Sequence, residues 1–278
     1  MQDITGYNAR MSSSILDKLF FMKHIDVNDV DTLVDFGCAN AELFKQLPYS
    51  WTKSQNNISI NFRSPVKNHW KKIGIDNSEE MLNLAKQNFP EAFYIKSFEE
   101  LQNVKLNNAI LNLSSVIHEI YSYYTLEEIE NFWEKVFKSN FKYIVIRDMM
   151  VTNESNRIIT NREKNILIQY NKNDPLKMYD DFHRYYPEMR VRDMLHFMQK
   201  NRYIDNWDRE CKENYFPITL EYLLSLVPKS AYVVAYLNTY CLPYVRDRIK
   251  DDFYYNVHDT THVQLILKRV EKHKNKDK

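Results

Sequence analysis

The sequence predicts an α/β protein built on a doubly wound, mostly parallel sheet with helices on both faces. Three observations carry that expectation. Five strand-like segments alternate with helical ones over the first 150 or so residues, the order that joins parallel neighbours through crossovers. The strand segments are near-continuous apolar runs, as expected where both faces of a sheet are covered. Hydrophobic residues make up 44% of the 278, enough for a large core and too many for a mainly disordered chain.

In order along the chain, "MQDITGYNARMSSS" leads into a helical pattern at Ile15, Leu19, Phe20 and Met22, with Ser12 to Ser14 as caps. "DTLVDFG" reads as a short buried strand, and "AELFKQL" as a helix that Pro48 ends. Tyr49 to Trp70 is polar and irregular apart from the alternation in "ISINF", and reads as an inserted loop or hairpin. "KIGID" is the second core strand, followed by a helix in "SEEMLNLAKQNF", where Met81, Leu84, Ala85 and Phe89 lie near helical spacing. "EAFYIKS" is the third, with a short helix in "FEELQNV". "NAILNLSS" is the fourth, followed by "IHEIYSYY" and a helix from about Leu126 to Phe137; "FKYIVIRDMM" is the fifth.

The remainder is different in character. Residues 152–217 are polar, aromatic-rich and mostly helical in pattern, with Val191, Met194, Leu195 and Met198 forming an i, i+3, i+4, i+7 stripe that reads as core. "LEYLLSLV" is a further helix, and "AYVVAYLNTY" and "THVQLILKRV" are two strand-like segments. The tail "EKHKNKDK" is expected to fray. One domain over 1–278 is expected: a helical lead-in at 1–29, a core sheet from 30–151 and 218–270, and a helical cap inserted at 152–217.

A formal net charge of +1 gives no bulk argument for nucleic acid or membrane. Three widely spaced cysteines suit a reducing compartment better than a disulfide framework or a zinc site. No apolar run approaches the roughly 18–20 residues of a membrane span, and the amino terminus lacks a signal-peptide core. A soluble cytoplasmic protein is expected.

Average usage would give about 20 glycines in this length, against three here, Gly6, Gly37 and Gly74. Gly37 stands in the bend after the first core strand, where ligands of open α/β sheets bind and backbone must approach them. Asn40 is placed to cap the next helix, whose amino terminus favours anions. Asp76 ends the second core strand, where a carboxylate can accept both ribose hydroxyls. Bend and acid together indicate a nucleoside-containing cofactor. A dinucleotide needs a glycine-rich turn against its pyrophosphate, and this chain has Gly-Cys-Ala-Asn-Ala. S-adenosylmethionine has no phosphate, and its ammonium group makes Asp35 useful beside the bend.

In these stretches the sequence resembles the class I S-adenosylmethionine-dependent methyltransferases. "LVDFGCANAEL" is similar to their first motif and "IGIDNSEEMLNLAKQN" to their second strand and helix. "NAILNLSSVIHEIYSY" is similar to the fourth-strand region lining the methyl-transfer cavity, and "YIVIRDMM" resembles the fifth strand. The resemblance spans residues 30–151 and 218–270 and implies a Rossmann-like sheet of seven strands with an antiparallel last strand. It implies S-adenosyl-L-methionine as cofactor, held by Asp35, Gly37, Cys38, Asp76, Asn77, Ser97, Phe98 and Ser114. His118, Glu119 and Tyr121 would then meet the methyl acceptor, with His118 as proton acceptor at its ordinary pKa and Glu119 orienting. Tyr7, Asn8 and Arg10 would fold over the cofactor.

There are departures from that pattern. Ala39 and Ala41 replace the usual further glycines, and Ser97 stands where an acid often contacts the adenine amino group. Asp35 and Asp76 are 41 residues apart because of the insertion. These motivate a second expectation, an inactive methyltransferase-like protein acting through a binding partner, with a nucleotide-binding oxidoreductase third. "HDTTH" places His258 and His262 four apart, but the following "VQLIL" reads as strand, so no metal site is expected. Arg147 and Asp148 are expected to pair with each other or with neighbours. Residues 183–212 hold seven Arg or Lys, five Asp or Glu, and several aromatics. Arg beside aromatics can grip bases and phosphates, but the excess is only two, so the segment reads as a substrate-facing cap with nucleic acid one candidate acceptor beside protein and small molecules.

Overall fold

The computed structural model describes residues 15–47, 51–55, 58–62 and 70–271. The expectations placed on Tyr7, Asn8, Arg10 and Ser12 to Ser14 lie outside these.

The strands are β1 (Thr32–Phe36), β2 (Trp51–Gln55), β3 (Ile58–Phe62), β4 (Lys71–Ile75), β5 (Phe93–Ile95), β6 (Ala109–Ser114), β7 (Tyr143–Met149), β8 (Tyr232–Tyr240) and β9 (His262–Arg269). Seven form one sheet in the order β5-β4-β1-β6-β7-β9-β8, while β2 and β3 pair antiparallel as the inserted hairpin. The first five of the sheet run parallel, and β9 runs antiparallel to both neighbours. Counting sheet strands alone in chain order, this is 3-2-1-4-5-7-6, a Rossmann-like methyltransferase fold with the expected antiparallel last strand.

The helices are α1 (Ile15–Lys18), α2 (Glu42–Gln46), α3 (Glu79–Asn88), α4 (Ile117–Tyr123), α5 (Leu126–Lys138), α6 (Asn161–Asn173), α7 (Met178–Tyr185), α8 (Val191–Lys200), α9 (Trp207–Lys212), α10 (Leu220–Leu226) and α11 (Pro243–Phe253). The sequence supplies starts for several. Ser78 caps α3, and Thr125 and Thr160 form capping boxes with Glu128 and Glu163 at α5 and α6. The first residue of α11 is Pro243, whose missing N–H costs nothing there. That helix lies in a segment the sequence pattern left without an element.

Alternation along each strand divides the apolar residues between two faces. Val34, Leu111, Leu113, Ile144, Ile146 and Leu265 pack with Ile117, Ile120, Ile129, Phe132, Trp133 and Val136 of α4 and α5. On the opposite face Leu33, Ile110, Val145 and Ile266 pack with Ile15, Leu19, Phe21, Leu43 and Phe44. A third core joins α6, α7, α8 and α11 around Phe182, Met194, Phe197, Met198 and Ile249. The stripe at Val191, Met194, Leu195 and Met198 is fully buried in it.

Gly74, in the middle of β4, has a packing reason. A Cβ built there would stand 2.7 Å from Cys38 Sγ and 2.8 Å from the Tyr94 ring. Gly74→Ala is therefore expected to destabilise by about 1–3 kcal/mol in urea denaturation, as overpacking does. Cys38→Ala should recover part of that loss in a double-mutant cycle; additive effects would mean that Cys38 does not impose the constraint.

Candidate functional site

The carboxyl ends of the five parallel strands stand side by side and bring most of the singled-out residues to one edge. Ser97 and Phe98 follow β5, Asp76 and Asn77 follow β4, Gly37 and Cys38 follow β1, Ser114 ends β6, and Asp148 lies near the end of β7. The strand order reverses between β1 and β6, the point at which open α/β sheets bind their ligands.

The bend after β1 is made by backbone more than by side chains. Gly37 has φ +75° and its missing Cβ would meet Val116 Cγ2 at 3.0 Å, so both torsion and space call for glycine. Its N–H and that of Cys38 both donate to the Ile75 carbonyl, at 2.8 and 3.0 Å. Ala39 and Ala41 also adopt left-handed torsions, φ 45° and 61°, which cost an L-residue roughly 1–2 kcal/mol each. The Ala39 N–H donates to Asp76 Oδ2 at 3.0 Å, while Asp76 Oδ1 accepts from the Ser78 N–H at 2.9 Å. Asp76 thus ties the bend to the next strand and keeps one lone pair on each oxygen for a ligand.

Asn40 does not cap α2, as the sequence suggested. Ala41 occupies that position without a side-chain bond, and the Asn40 carbonyl instead accepts from Asn88 Nδ2 at 3.0 Å. Cys38 is buried against Gly74, and burial pushes its thiol well above the ordinary range.

Behind the bend runs a buried polar chain on one face of the sheet. Ser114 Oγ donates to Asn112 Oδ1 at 2.9 Å, and Asn112 Nδ2 donates to Asp35 Oδ1 at 2.7 Å. Burial pushes Asp35 up to about 6, against the opposing effects of Asn112 and Lys18. Lys18 of α1, itself buried, is lowered to about 8, first by burial and then by Arg147. Burial thus outweighs the mutual attraction of the pair. Next to Lys18, Asp17 anchors α1 to three strands. Its carboxylate accepts from Arg147 Nε at 2.6 Å, Tyr240 OH at 2.6 Å and Gln264 Nε2 at 2.8 Å. Arg147 therefore pairs with a neighbour and not with Asp148.

Asp148, on the other face, is fully buried and works as a hub. Its Oδ2 accepts from the N–H groups of Val116 and Ile117 at 2.9 and 2.6 Å, and Oδ1 from that of Met149 at 2.7 Å. It supplies α4 with the amino-terminal cap that its own sequence lacks. His118 Nδ1 sits 2.6 Å from Asp148 Oδ1, and Nε2 faces Glu213 Oε1 at 3.7 Å. Burial alone would lower the His118 pKa, but the carboxylates of Asp148, Glu213 and Glu119 outweigh it and raise it to about 10. Asp148 and Glu213 move the other way despite burial, Glu213 to about 2. The surrounding carboxylates favour the protonated imidazole, which weighs against the expectation of His118 as a general base.

Glu119 is raised, chiefly by burial, and accepts no hydrogen bond among the described residues. Tyr121 does not join the group. Its ring packs against the first core, and its hydroxyl accepts from Trp133 Nε1 at 3.0 Å. Phe98 likewise packs inward, on Phe36 and Phe141, and Ser97 opens the turn that follows with its N–H on Glu100. Asn77 is exposed beside Asp76. Sequence reasoning missed Asp17, Lys18 and Glu213, which lie far along the chain from the motifs they meet.

His258 is exposed, His262 is buried in β9, and Asp259 accepts from Ser155 Oγ, so "HDTTH" forms no ligand cluster. In the 183–212 segment Arg184, Arg190, Arg192, Lys200, Arg202 and Arg209 each pair with an acid. A cleft of about 380 Å³ lined by Asp181, Arg184, Tyr185, Trp207 and Asp208 lies on the cap, away from the converging groups at the sheet edge. Among the described residues no helix is long and apolar enough to cross a membrane.

No family model and no curated protein matches the chain. Several solved structures are similar at low identity. The plantazolicin methyltransferase BamL, solved with a triazolic desmethylPZN analog and SAH, is 12% identical over 96% of this chain and 89% of its own, with a TM-score of 0.48. A SAM-dependent methyltransferase from Anabaena variabilis ATCC 29413 is 11% identical over 94% and 85%, with a TM-score of 0.49. The methyltransferase domain of bacterial CtHen1-CN is 11% identical over 94% and 98%, with a TM-score of 0.45.

The His118 pair fixes a pH dependence. A raised pKa contributes stability that is complete below the ordinary value of 6.5 and is lost as pH climbs through about 10. The lowered Asp148 contributes above the ordinary 3.8, and that share is lost as pH falls. Wild type should thus exceed His118→Gln in stability by a few kcal/mol near pH ~6, with the gap closing toward pH ~10 in guanidinium melts. A gap independent of pH would contradict the ion pair. Asp148→Asn should cost about 3–5 kcal/mol, because it strips charge from a buried pair.

Proposed function

We propose that the chain is an S-adenosylmethionine-dependent methyltransferase whose cofactor lies over the Gly37 bend and whose acceptor enters between α4 and the cap helices. One observation carries the reading: a glycine-type bend at the strand-order reversal, tied directly to an acid at the end of the neighbouring strand. The residues fit the group. Gly37 leaves backbone room, Asp76 retains two acceptor lone pairs for ribose hydroxyls, and the Asp35–Lys18 pair offers both signs of charge to an amino-acid moiety. The bound cofactor would supply an electrophilic methyl group on a sulfonium.

The protein's own work is then mainly alignment, which can supply a large share of such a barrier. Asp76 and the bend fix the donor end. His118, clamped by Asp148, and Glu119 and Glu213 form the acceptor side, where the imidazole ring orients and Glu119 keeps a carboxylate free for a polar atom of the acceptor. The pairing of the cap's cations with acids argues against a phosphate-gripping surface and in favour of a small or protein acceptor. Cofactor class, acceptor side, soluble cytoplasmic setting and the division into core and cap all belong to this reading.

A second reading, a methyltransferase-like protein that acts by binding a partner, is favoured by the left-handed torsions of Ala39 and Ala41, where glycines would leave more room. Calorimetric titration separates the two. The methyltransferase reading expects S-adenosylmethionine and S-adenosylhomocysteine to bind with micromolar affinity, and Asp76→Ala to weaken both at least about tenfold, or ~1.4 kcal/mol. A well-folded protein that binds neither overturns it.

A further inference from the structure

The acceptor side of the crevice gathers a set of metal-ligand atoms that no stretch of sequence contains. A His118 ring nitrogen, a Glu119 carboxylate oxygen and a Glu213 carboxylate oxygen all lie within 4.8 Å of one another, the one such group of three among the described residues. His118 is only 4% exposed. Its Nδ1 is committed to Asp148 at 2.6 Å, so Nε2 is the atom turned into the group. Nε2 stands 3.7 Å from Glu213 Oε1, longer than an ordinary hydrogen bond. Glu213 Oε2 is taken by Tyr123 OH at 3.0 Å and Arg209 at 3.4 Å, which leaves Oε1 facing the imidazole. Glu119 accepts no hydrogen bond among the described residues.

We propose that His118 Nε2, Glu119 and Glu213 form a binding site for a divalent transition cation of the zinc or manganese type. An imidazole nitrogen with two carboxylates suits such cations better than magnesium or calcium, which prefer all-oxygen shells. Asp148 holds the ring through Nδ1, the outer-shell carboxylate that orients a ligating histidine and raises its basicity. Binding is an exchange: the cation takes the place of the Nε2 proton, which leaves to solvent, while the Nδ1 proton stays on Asp148. Lys200, 3.9 Å from Glu213 Oε1, and Arg209 offset part of the negative charge. The affinity therefore falls below that of closed structural zinc sites. Three protein ligands leave a position open, as in catalytic zinc sites. That the open position takes an oxygen of the methyl acceptor rests on the function proposed above; cation binding itself does not.

The test is Zn²⁺ titration of the chelator-treated full chain by calorimetry, without cofactor, paired with the visible spectrum of the Co²⁺-loaded protein. One equivalent of Zn²⁺ is expected, with nitrogen–oxygen ligation in the Co²⁺ spectrum. Glu119→Gln should weaken binding at least about tenfold, since even outer-shell changes cost 10–100-fold. Its circular dichroism and denaturation midpoint should remain native, because that side chain anchors nothing. Glu213→Gln serves as the second variant. Absence of binding, or native affinity in both variants, overturns the site. Because no methyl donor is present, either result stands apart from the fate of the methyltransferase reading.

Discussion

The buried carboxylate of Asp148 is the constraint on which the rest of the edge depends. It accepts from three backbone N–H groups and faces one imidazole, and in doing so joins β7 to the turn after β6, caps α4 and reaches through His118 to Glu213. A lone charge at that depth would be costly, and the geometry offsets the cost with four charge-assisted contacts. Glu213 follows α9, so the clamp also fixes where the cap meets the sheet. On the other face Asp17 plays a matching part, binding α1 to β7, β8 and β9.

The second constraint is economy of glycine. A bend that is usually glycine-rich is here held by one glycine and two alanines in left-handed torsions. The strain persists because the surroundings over-determine it: two N–H groups converge on the Ile75 carbonyl and a third on Asp76. Gly74, one strand away, makes room for Cys38 and Tyr94 beneath the bend. Two of the chain's three glycines thus serve a single turn, which answers why they stand where they do.

The sheet was legible because its signals are local. Apolar runs such as "LVDF", "AILNL" and "YIVI" fix strand existence, and their succession with helical periodicity fixes the parallel order. Gly37 and Asp76 were legible because a bend and a strand-end acid have few other reasons to occur together. His118 was visible as a residue, yet its charge state was not, since Asp148 lies 30 residues away and Glu213 95. Lys18 and Asp17 went unmarked in the helical pattern at Ile15, Leu19, Phe20 and Met22, because nothing local distinguishes a charged residue that tertiary packing will bury. Tyr121 and Phe98 show the converse: their polar or aromatic character drew a site role, while their helical and turn positions direct them into the core. The helix at Pro243–Phe253 was hidden by a polar, charged segment in which Val245, Ile249 and Phe253, one to a turn, are the buried residues.

An adenosyl cofactor held at the Gly37 bend beside Asp76 would order the amides of that bend. The most direct measurement is amide hydrogen exchange, resolved by peptide, with and without S-adenosylhomocysteine. Protection concentrated in residues 37–41 and 76–78 is the predicted result, since those amides form the bend and its tie. Unchanged exchange there, or protection confined to the cap cleft around Asp181 and Trp207, would contradict the account.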